Sequence, residues 1–316
     1  MGVFPKRGGD QAATPGAGVQ SQAMRSDALL HAARPHRTLW RDAFSRLVSN
    51  RLALFGAIII LGITFLAVFA PLIAPSHYAY QDYGAITQSP SREWPMGTDL
   101  VGRDMLSRMI YGARVSMAVG LGAQIIVLLI GVPIGAIAGY MSGKVDNLLM
   151  RFVDVMYAFP QLLFVILIMS MLGRGLQNIF IAIGVTGWVT LARVTRAEFL
   201  SLREQDHVLA ARSIGAGPWR LITKHMMPNA LTPIIVTLTF GIPLAIFTEA
   251  ALSFIGVGIS PPTPSWGGMV GDNQSYIRSY WYLSLFPALA IALVMMAFTF
   301  FGDGLRDALD PRSGKR

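Results

Sequence analysis

Six continuous apolar blocks divide this 316-residue chain: Leu52 to Ala74, Val115 to Ala138, Val153 to Leu172, Leu176 to Ala192, Ala230 to Phe254 and Leu283 to Phe301. Each is close to the ~20 residues that a helix rising ~1.5 Å per residue needs to cross ~30 Å of hydrocarbon. The blocks do not alternate at period two, and lipid offers bare backbone groups no partners, so the pattern predicts helices rather than a barrel. The fourth block is the shortest and carries Gly184 and Gly187, which makes it the weakest span. Ahead of the first block, Leu39, Trp40, Ala43, Phe44, Leu47 and Val48 recur at helical spacing with Arg41 and Arg46 off that face. This predicts an amphipathic helix in the membrane interface.

Composition agrees. Charged residues make up 14% of the chain and hydrophobic ones 53%, against roughly 25% charged in a soluble domain. Of the 26 Lys and Arg, only Arg92, Arg103, Arg108, Arg114, Arg174 and Arg278 lie outside when the amino terminus is placed in the cytoplasm. The positive-inside rule therefore predicts an all-α polytopic membrane protein with six transmembrane helices and both termini cytoplasmic. The net charge of +9 is accounted for by that topology and by anionic membrane lipid. No basic run is interleaved with aromatics, so nucleic acid is not a partner.

The organisation follows from these limits. Residues 1–38, rich in Gly, Ala, Gln and Pro, read as a disordered cytoplasmic tail. Residues 39–75 hold the amphipathic helix and first span, and 76–114 form an outside loop. Residues 115–301 form a five-span core interrupted by a cytoplasmic loop at 196–229, and 302–316 a second cytoplasmic tail. The first apolar block begins too late and is too long for a cleaved signal core. No fixed-period repeat or inverted pair of broken helices is visible, which counts against a secondary carrier without removing it.

Catalytic chemistry is poorly supported. His31, His36, His77, His207 and His225 all lie outside the spans, and there is no cysteine. Gly143-Lys144-Val145 lacks the rest of a phosphate-binding loop, so any nucleotide that powers this protein is bound by another polypeptide. In the outside loop Gly97-Thr98-Asp99-Leu100-Val101-Gly102-Arg103-Asp104 offers Thr98 or Asp99 as a cap for a helix towards Tyr111, with Asp104 and Arg108 spaced for a surface pair. A structural turn and a docking surface are both open readings. Arg151 and Asp154 read as an interfacial pair. Glu249 lies within a span, and its readings are a carboxylate snorkelling to water, one paired to a neighbouring helix, or one lining a substrate path.

The charged insert from Asp206 to Pro228 is the most informative segment. Helix-forming composition from Leu202 to Ile214, Gly215 as a left-handed terminator and Pro218 in a second first turn predict two short helices ending near Pro228. Ala210 and Ala211 would let another protein approach the backbone closely, with Arg203, Arg212 and Arg220 at the rim. A basic loop resting on lipid is the alternative.

Ala210-Ala211-Arg212-Ser213-Ile214-Gly215, with Pro228 thirteen positions beyond the glycine, resembles the Glu-Ala-Ala-x-x-x-Gly signature of permease subunits of binding-protein-dependent ABC importers. Leu209 stands in place of the Glu, and His225 and Met227 in place of the usual Ile and Leu. Gly97 to Asp104, Tyr111 to Ser116, Met150 to Asp154, Phe159 to Leu162, Leu252 to Gly258 and Pro261 to Gly267 are similar to the dipeptide, oligopeptide and nickel branch, in its C-type permease. The resemblance spans about residues 38 to 311. It implies the type I importer (MetI-like) fold in a prokaryotic cytoplasmic membrane and a heterodimer with a second permease. It also implies two cytoplasmic ATPases that bind ATP and Mg, and an extracytoplasmic binding protein. This chain itself would bind no cofactor and catalyse nothing. Asp206, Leu209, Ala210, Ala211, Arg212, Gly215 and Pro228 would form the ATPase-coupling element. The Pro- and Gly-rich segment from Gly258 to Gly271 would face the binding protein, fold back over the path or form a bare turn. Peptides are the expected cargo, with nickel or another small chelate as the alternative.

Overall fold

The computed structural model describes residues 39–310; the tail expected over 1–38 lies outside them. Twelve α-helices occur among the described residues, with no strand; a single backbone bridge joins Thr98 and Asp104. They are α1 Leu39–Ser49, α2 Arg51–Val68, α3 Ala70–Ile73, α4 Met105–Met141, α5 Gly143–Ala158 and α6 Gln161–Leu172. The rest are α7 Leu176–Arg203, α8 Asp206–Ser213, α9 Pro218–Arg220, α10 Met227–Phe254, α11 Trp266–Asn273 and α12 Tyr282–Leu309. From Ala43 onward the chain forms one unit.

Five helical runs are long and apolar enough to cross a membrane: α2, α4, α7, the continuous run Pro218–Phe254, and α12. A bent pair, α5 and α6, at 87°, brings the count to six when it is taken as one broken span and leaves it at five when it is a re-entrant loop. The third apolar block is thus not the straight helix expected. Phe159, which precedes Pro160, is extended (φ −79°, ψ 131°), because a proline's Cδ disfavours helical geometry in the residue before it. At ~1.5 Å per residue, α6 with 12 residues reaches only part of the way across, and space is left beside the elbow.

Other boundaries moved outward for a common reason: polar helix ends protrude beyond the apolar block. The loop expected outside stops at Asp104, because α4 begins ten residues before its apolar core. α7 continues to Arg203, and the expected second tail is helical to Leu309. The amphipathic α1 forms as expected; Ala43 is buried while Phe44 and Val48 stay exposed, as an apolar face turned to lipid requires.

The weakest block proves to be a centrepiece. α4 and α7 make the most extensive helix pair and run parallel, because Gly131, Gly135 and Gly139 meet successively later turns of α7 at Trp188, Ala192 and Arg196. Gly184 returns the favour: a Cβ there would come 2.5 Å from Ile126 Cβ. Lipid supplies no hydrophobic drive between helices, so close backbone approach through small residues holds such a pair together. A Gly135→Ala side chain would meet the Ala192 carbonyl and lie 2.7 Å from Thr195 Cβ. We expect it to cost about 1–3 kcal/mol by overpacking, read as a lower Tm and reduced accumulation. Gly62, with nothing within 4 Å of an added Cβ, is the matched control; equal behaviour of the two alanine variants would refute this packing role.

Candidate functional site

The insert between α7 and α10 is built by local rules. Gln205 is extended (φ −79°, ψ 145°) and restarts the chain as α8, with Asp206 in its first turn and Arg212 in its last, each complementary to the helix dipole. The expected single helix from Leu202 to Ile214 is therefore broken at Glu204 and Gln205. Gly215 ends α8 at φ +86°; its N–H bonds the Arg212 carbonyl at 3.0 Å and Ala216 N–H the Ala211 carbonyl at 3.1 Å, a Schellman closure. Pro218 then opens the next helical run.

That second helix does not stop near Pro228. Leu221–Met226 is π-helical, and Met227 N–H bonds the Ile222 carbonyl. The wider turn accommodates a proline that has no N–H to give, so the run proceeds to Phe254 instead of breaking. Pro228 lies in the first turn of α10.

The insert has a buried and a bare side. Val208, Ala211, Leu221 and Met226 pack with Phe199 and Leu202. Ala211 is thus a core residue, not the surface contact expected of it. Asp206, Leu209, Ala210, Arg212 and Gly215 are exposed. Two residues not anticipated stand out furthest, Ile214 at 87% and Trp219 at 77% exposure. Their signal was present: two large apolar side chains flank the helix terminator of a charged segment.

Both helices that leave the insert reach a cavity of about 650 Å³ beside the elbow. Thr186, Gly187, Thr190 and Val194 of α7 line it, as do Thr237, Phe240 and Gly241 of α10, together with Gln124 of α4 and Phe159, Pro160 and Gln161 of the elbow. No Asp, Glu, Lys, Arg or His is among its lining residues. A second cavity of about 740 Å³ lies nearer the insert and shares Thr237 and Phe240 with the first; Glu198 and Arg306 line it.

Ion pairs hold the elbow helix to α7. Arg196 grips Asp146 through Nε and Nη2 at 2.5 and 2.6 Å, and Arg193 bonds Asp154 at 2.8 Å while its guanidinium sits 4.2 Å above the Tyr157 ring. Arg203 donates to Ser142 Oγ at 2.7 Å. Asp154 therefore pairs across helices rather than with Arg151, its neighbour on α5.

At the opposite end of α4, the Gly97 to Asp104 segment is folded inward. The cap of α4 is Asp104, accepting from Leu106 and Ser107 N–H, not Thr98 or Asp99. Thr98 Oγ1 donates to the Ala85 carbonyl and accepts from Gln88 N–H. Asp99 accepts from Val101 and Arg103 N–H and from Arg103 Nε at 2.6 Å. Arg108 lies buried with its Nε 3.6 Å from Asp99, so the expected surface pair with Asp104 is absent. Gly97 and Gly102 turn the chain at φ +76° and +75°. With Thr98, Asp99 and Asp104 buried, the motif is a structural turn. Trp266 is buried too, its indole N–H donating to the Met109 carbonyl at 3.0 Å, so the segment after α10 folds back onto α4.

Glu249 is fully buried and accepts from Ser253 Oγ at 2.7 Å. It neither snorkels nor lines either cavity; it also interacts with the Ser265 hydroxyl at the start of the neighbouring α11, a pairing to a neighbouring helix made through a hydroxyl rather than a charge.

The chain matches two family models: the binding-protein-dependent transport system inner membrane component over residues 131–315, and the N-terminal TM domain of oligopeptide transport permease C over residues 38–90. It is 44% identical to an oligopeptide transport system permease protein of Bacillus subtilis, over 88% of this chain and 91% of that one. It is 43% identical to a dipeptide transport system permease protein of the same organism, over 88% of each. A glutathione transport system permease protein of Escherichia coli is 38% identical over 87% of this chain and 91% of its own length. Among solved structures, an inward-facing methionine ABC transporter superposes with a TM-score of 0.54 at 18% identity, covering 65% of this chain and 98% of that one.

Proposed function

The chain belongs to the binding-protein-dependent transport system inner membrane component family, and we propose that it is one of two permease subunits through which an ATP-driven importer passes peptides. One observation carries this reading: the run from Pro218 to Phe254 extends unbroken from the exposed insert to the wall of the membrane cavity, and α7 reaches the same wall from the turn at Glu204 and Gln205. A push on the Pro218 end of the insert is therefore delivered to the cavity by a rigid rod, without an intervening loop to absorb it.

On this reading Leu209, Ile214 and Trp219 seat in a cleft of a cytoplasmic ATPase, with Asp206, Arg212 and Arg220 at the rim, and Gly215 and Pro228 shape the element. Two ATPases bind ATP and Mg and do the hydrolysis. The insert and both termini face the cytoplasm of a prokaryotic cell, as the Lys and Arg distribution favours. A binding protein delivers cargo to the end that carries the Gly97 to Asp104 turn. The second permease covers the open side of the cavity; the exposed stripe Val145, Leu148, Phe152 and Val155 on α5 recurs at the 3–4 spacing of a helix–helix seam. The cargo assignment draws on relatives that carry dipeptides, oligopeptides and glutathione.

The test is reconstitution with the second permease, both ATPases and the binding protein in proteoliposomes. Peptide-loaded binding protein is expected to stimulate ATP hydrolysis and drive labelled peptide inward, whereas this chain alone accumulates none. Accumulation without the ATPases, or stimulation by nickel chelates and not peptides, would overturn the proposal.

A further inference from the structure

The cavity beside the elbow holds polar groups that the protein leaves unused. Gln124 and Gln161 line it with carboxamides, and Thr190 with a hydroxyl; none of the three side chains bonds another described residue. By contrast, Thr186 and Thr237 in the same wall return their hydroxyls to their own helices, at 3.0 Å to the Ala182 carbonyl and 2.7 Å to the Pro233 carbonyl. A free carboxamide within a membrane-spanning bundle is costly unless a ligand or water satisfies it.

The two glutamines are also given room. Gln124 lies across Gly241 of α10, where an added Cβ would meet Oε1 and stand 2.7 Å from Cδ. Gln161, in the first turn of α6, lies over Gly187 of α7, with Nε2 3.8 Å from the position of a Cβ. Each carboxamide thus comes from one element and rests against a glycine of another.

From this we propose that Gln124, Gln161 and Thr190 form a transient site for the uncharged backbone of a peptide in passage. A carboxamide offers one acceptor and two donors, the complement of a peptide's own C=O and N–H. Because no charged residue lines the cavity, it has nothing to pair with charged termini or charged side chains. Its apolar lining, with Phe159, Phe164 and Phe240, tolerates varied side chains. A volume of about 650 Å³ suits a short peptide, within the ~300–1,000 Å³ of small-ligand sites. The site accordingly reads the amide bond, which every peptide has, and leaves selection among sequences to other components. This deepens the peptide-import reading and rests on it.

The test is equilibrium binding of N-acetyl-trialanine amide to the complete nucleotide-free complex in nanodiscs, without the binding protein, measured by saturation-transfer NMR. Wild type is expected to bind it, and the Gln124→Leu, Gln161→Leu double variant to bind about tenfold more weakly or worse, two amide hydrogen bonds being lost. The same peptide methylated on its backbone nitrogens, which keeps its carbonyls but has no N–H to give, is expected to bind wild type more weakly than the parent does, an arm that does not depend on how the variant folds. No detectable binding to wild type, equal binding by the double variant, or undiminished binding of the methylated peptide would each overturn the site. ATP-driven uptake in the same preparations separates this from the importer reading. A complex that imports peptides yet fails these arms loses only the site, and one that imports none loses both.

Discussion

An Asp99→Ala chain is expected to be about 3–5 kcal/mol less stable than wild type, the cost of stripping a buried cation of its counterion. The Asp99 carboxylate closes the turn by accepting from Val101 and Arg103 N–H at 3.0 and 2.9 Å. It is also the carboxylate nearest the buried Arg108, 3.6 Å from its Nε, and Arg108 Nη1 already has no partner among the described residues. Alanine leaves two turn N–H groups without their acceptor and Arg108 with only the more distant carboxylate of Asp272. Against a total stability of ~5–15 kcal/mol, accumulation in membranes should fall sharply, and Tm with it. Arg103→Ala, whose side chain is more exposed, should cost about 1 kcal/mol or less. An Asp99→Ala protein that accumulates and melts normally but no longer responds to the binding protein would reverse the assignment, making the segment a docking surface after all.

Trp219→Ala is expected to release the ATPases while leaving the permease intact. A large exposed aromatic at the centre of a small interface carries a disproportionate share of its energy, about 2–4 kcal/mol on truncation, equivalent to about 30-fold weaker association or more. The Trp219 indole is mostly exposed, so the chain should fold and insert as before. Ile214→Ala should act in the same direction. Ala211→Glu is a different experiment, because it drives a charge among Val208, Leu221 and Met226 and would collapse the insert itself. The measurement is co-purification of the ATPases with the permease pair at equal permease levels. A wild-type ratio in both Trp219→Ala and Ile214→Ala would sink the proposed seat.

The sequence made legible what is written in contiguous residues. Long apolar runs announce spans because a bilayer imposes a length. Gly215 and Pro218 announce the insert's bend because one supplies φ > 0 and the other suits a helix start. What depends on residues distant in sequence stayed hidden. The pairing of Asp146 with Arg196 and of Asp154 with Arg193 joins helices whose order along the chain says nothing of their facing sides, and the nearby Arg151 offered a plausible but wrong partner. Gly184 and Gly187 counted as weakness in isolation; only the opposing α4 turns them into contact. Phe159 and Pro160 sit inside an apolar run, where composition outvoted the proline. The π-helical turn before Pro228 could not be foreseen, since a proline there reads as a stop. Of the residues proposed to couple to an ATPase, Asp206, Leu209, Ala210, Arg212 and Gly215 are exposed on the insert, whereas Ala211 supports it from within.

The uncharged lining of the elbow cavity has an electrical corollary. Moving one elementary charge through the full membrane potential changes its energy by ~2.3 kcal/mol per 100 mV, but the elbow cavity's wall in this chain contains no ionised side chain. Voltage therefore acts on whatever is being carried. On the import reading, a zwitterion crosses this cavity with no net electrical work, while a cationic peptide is drawn towards a negative interior and an anionic one is held back.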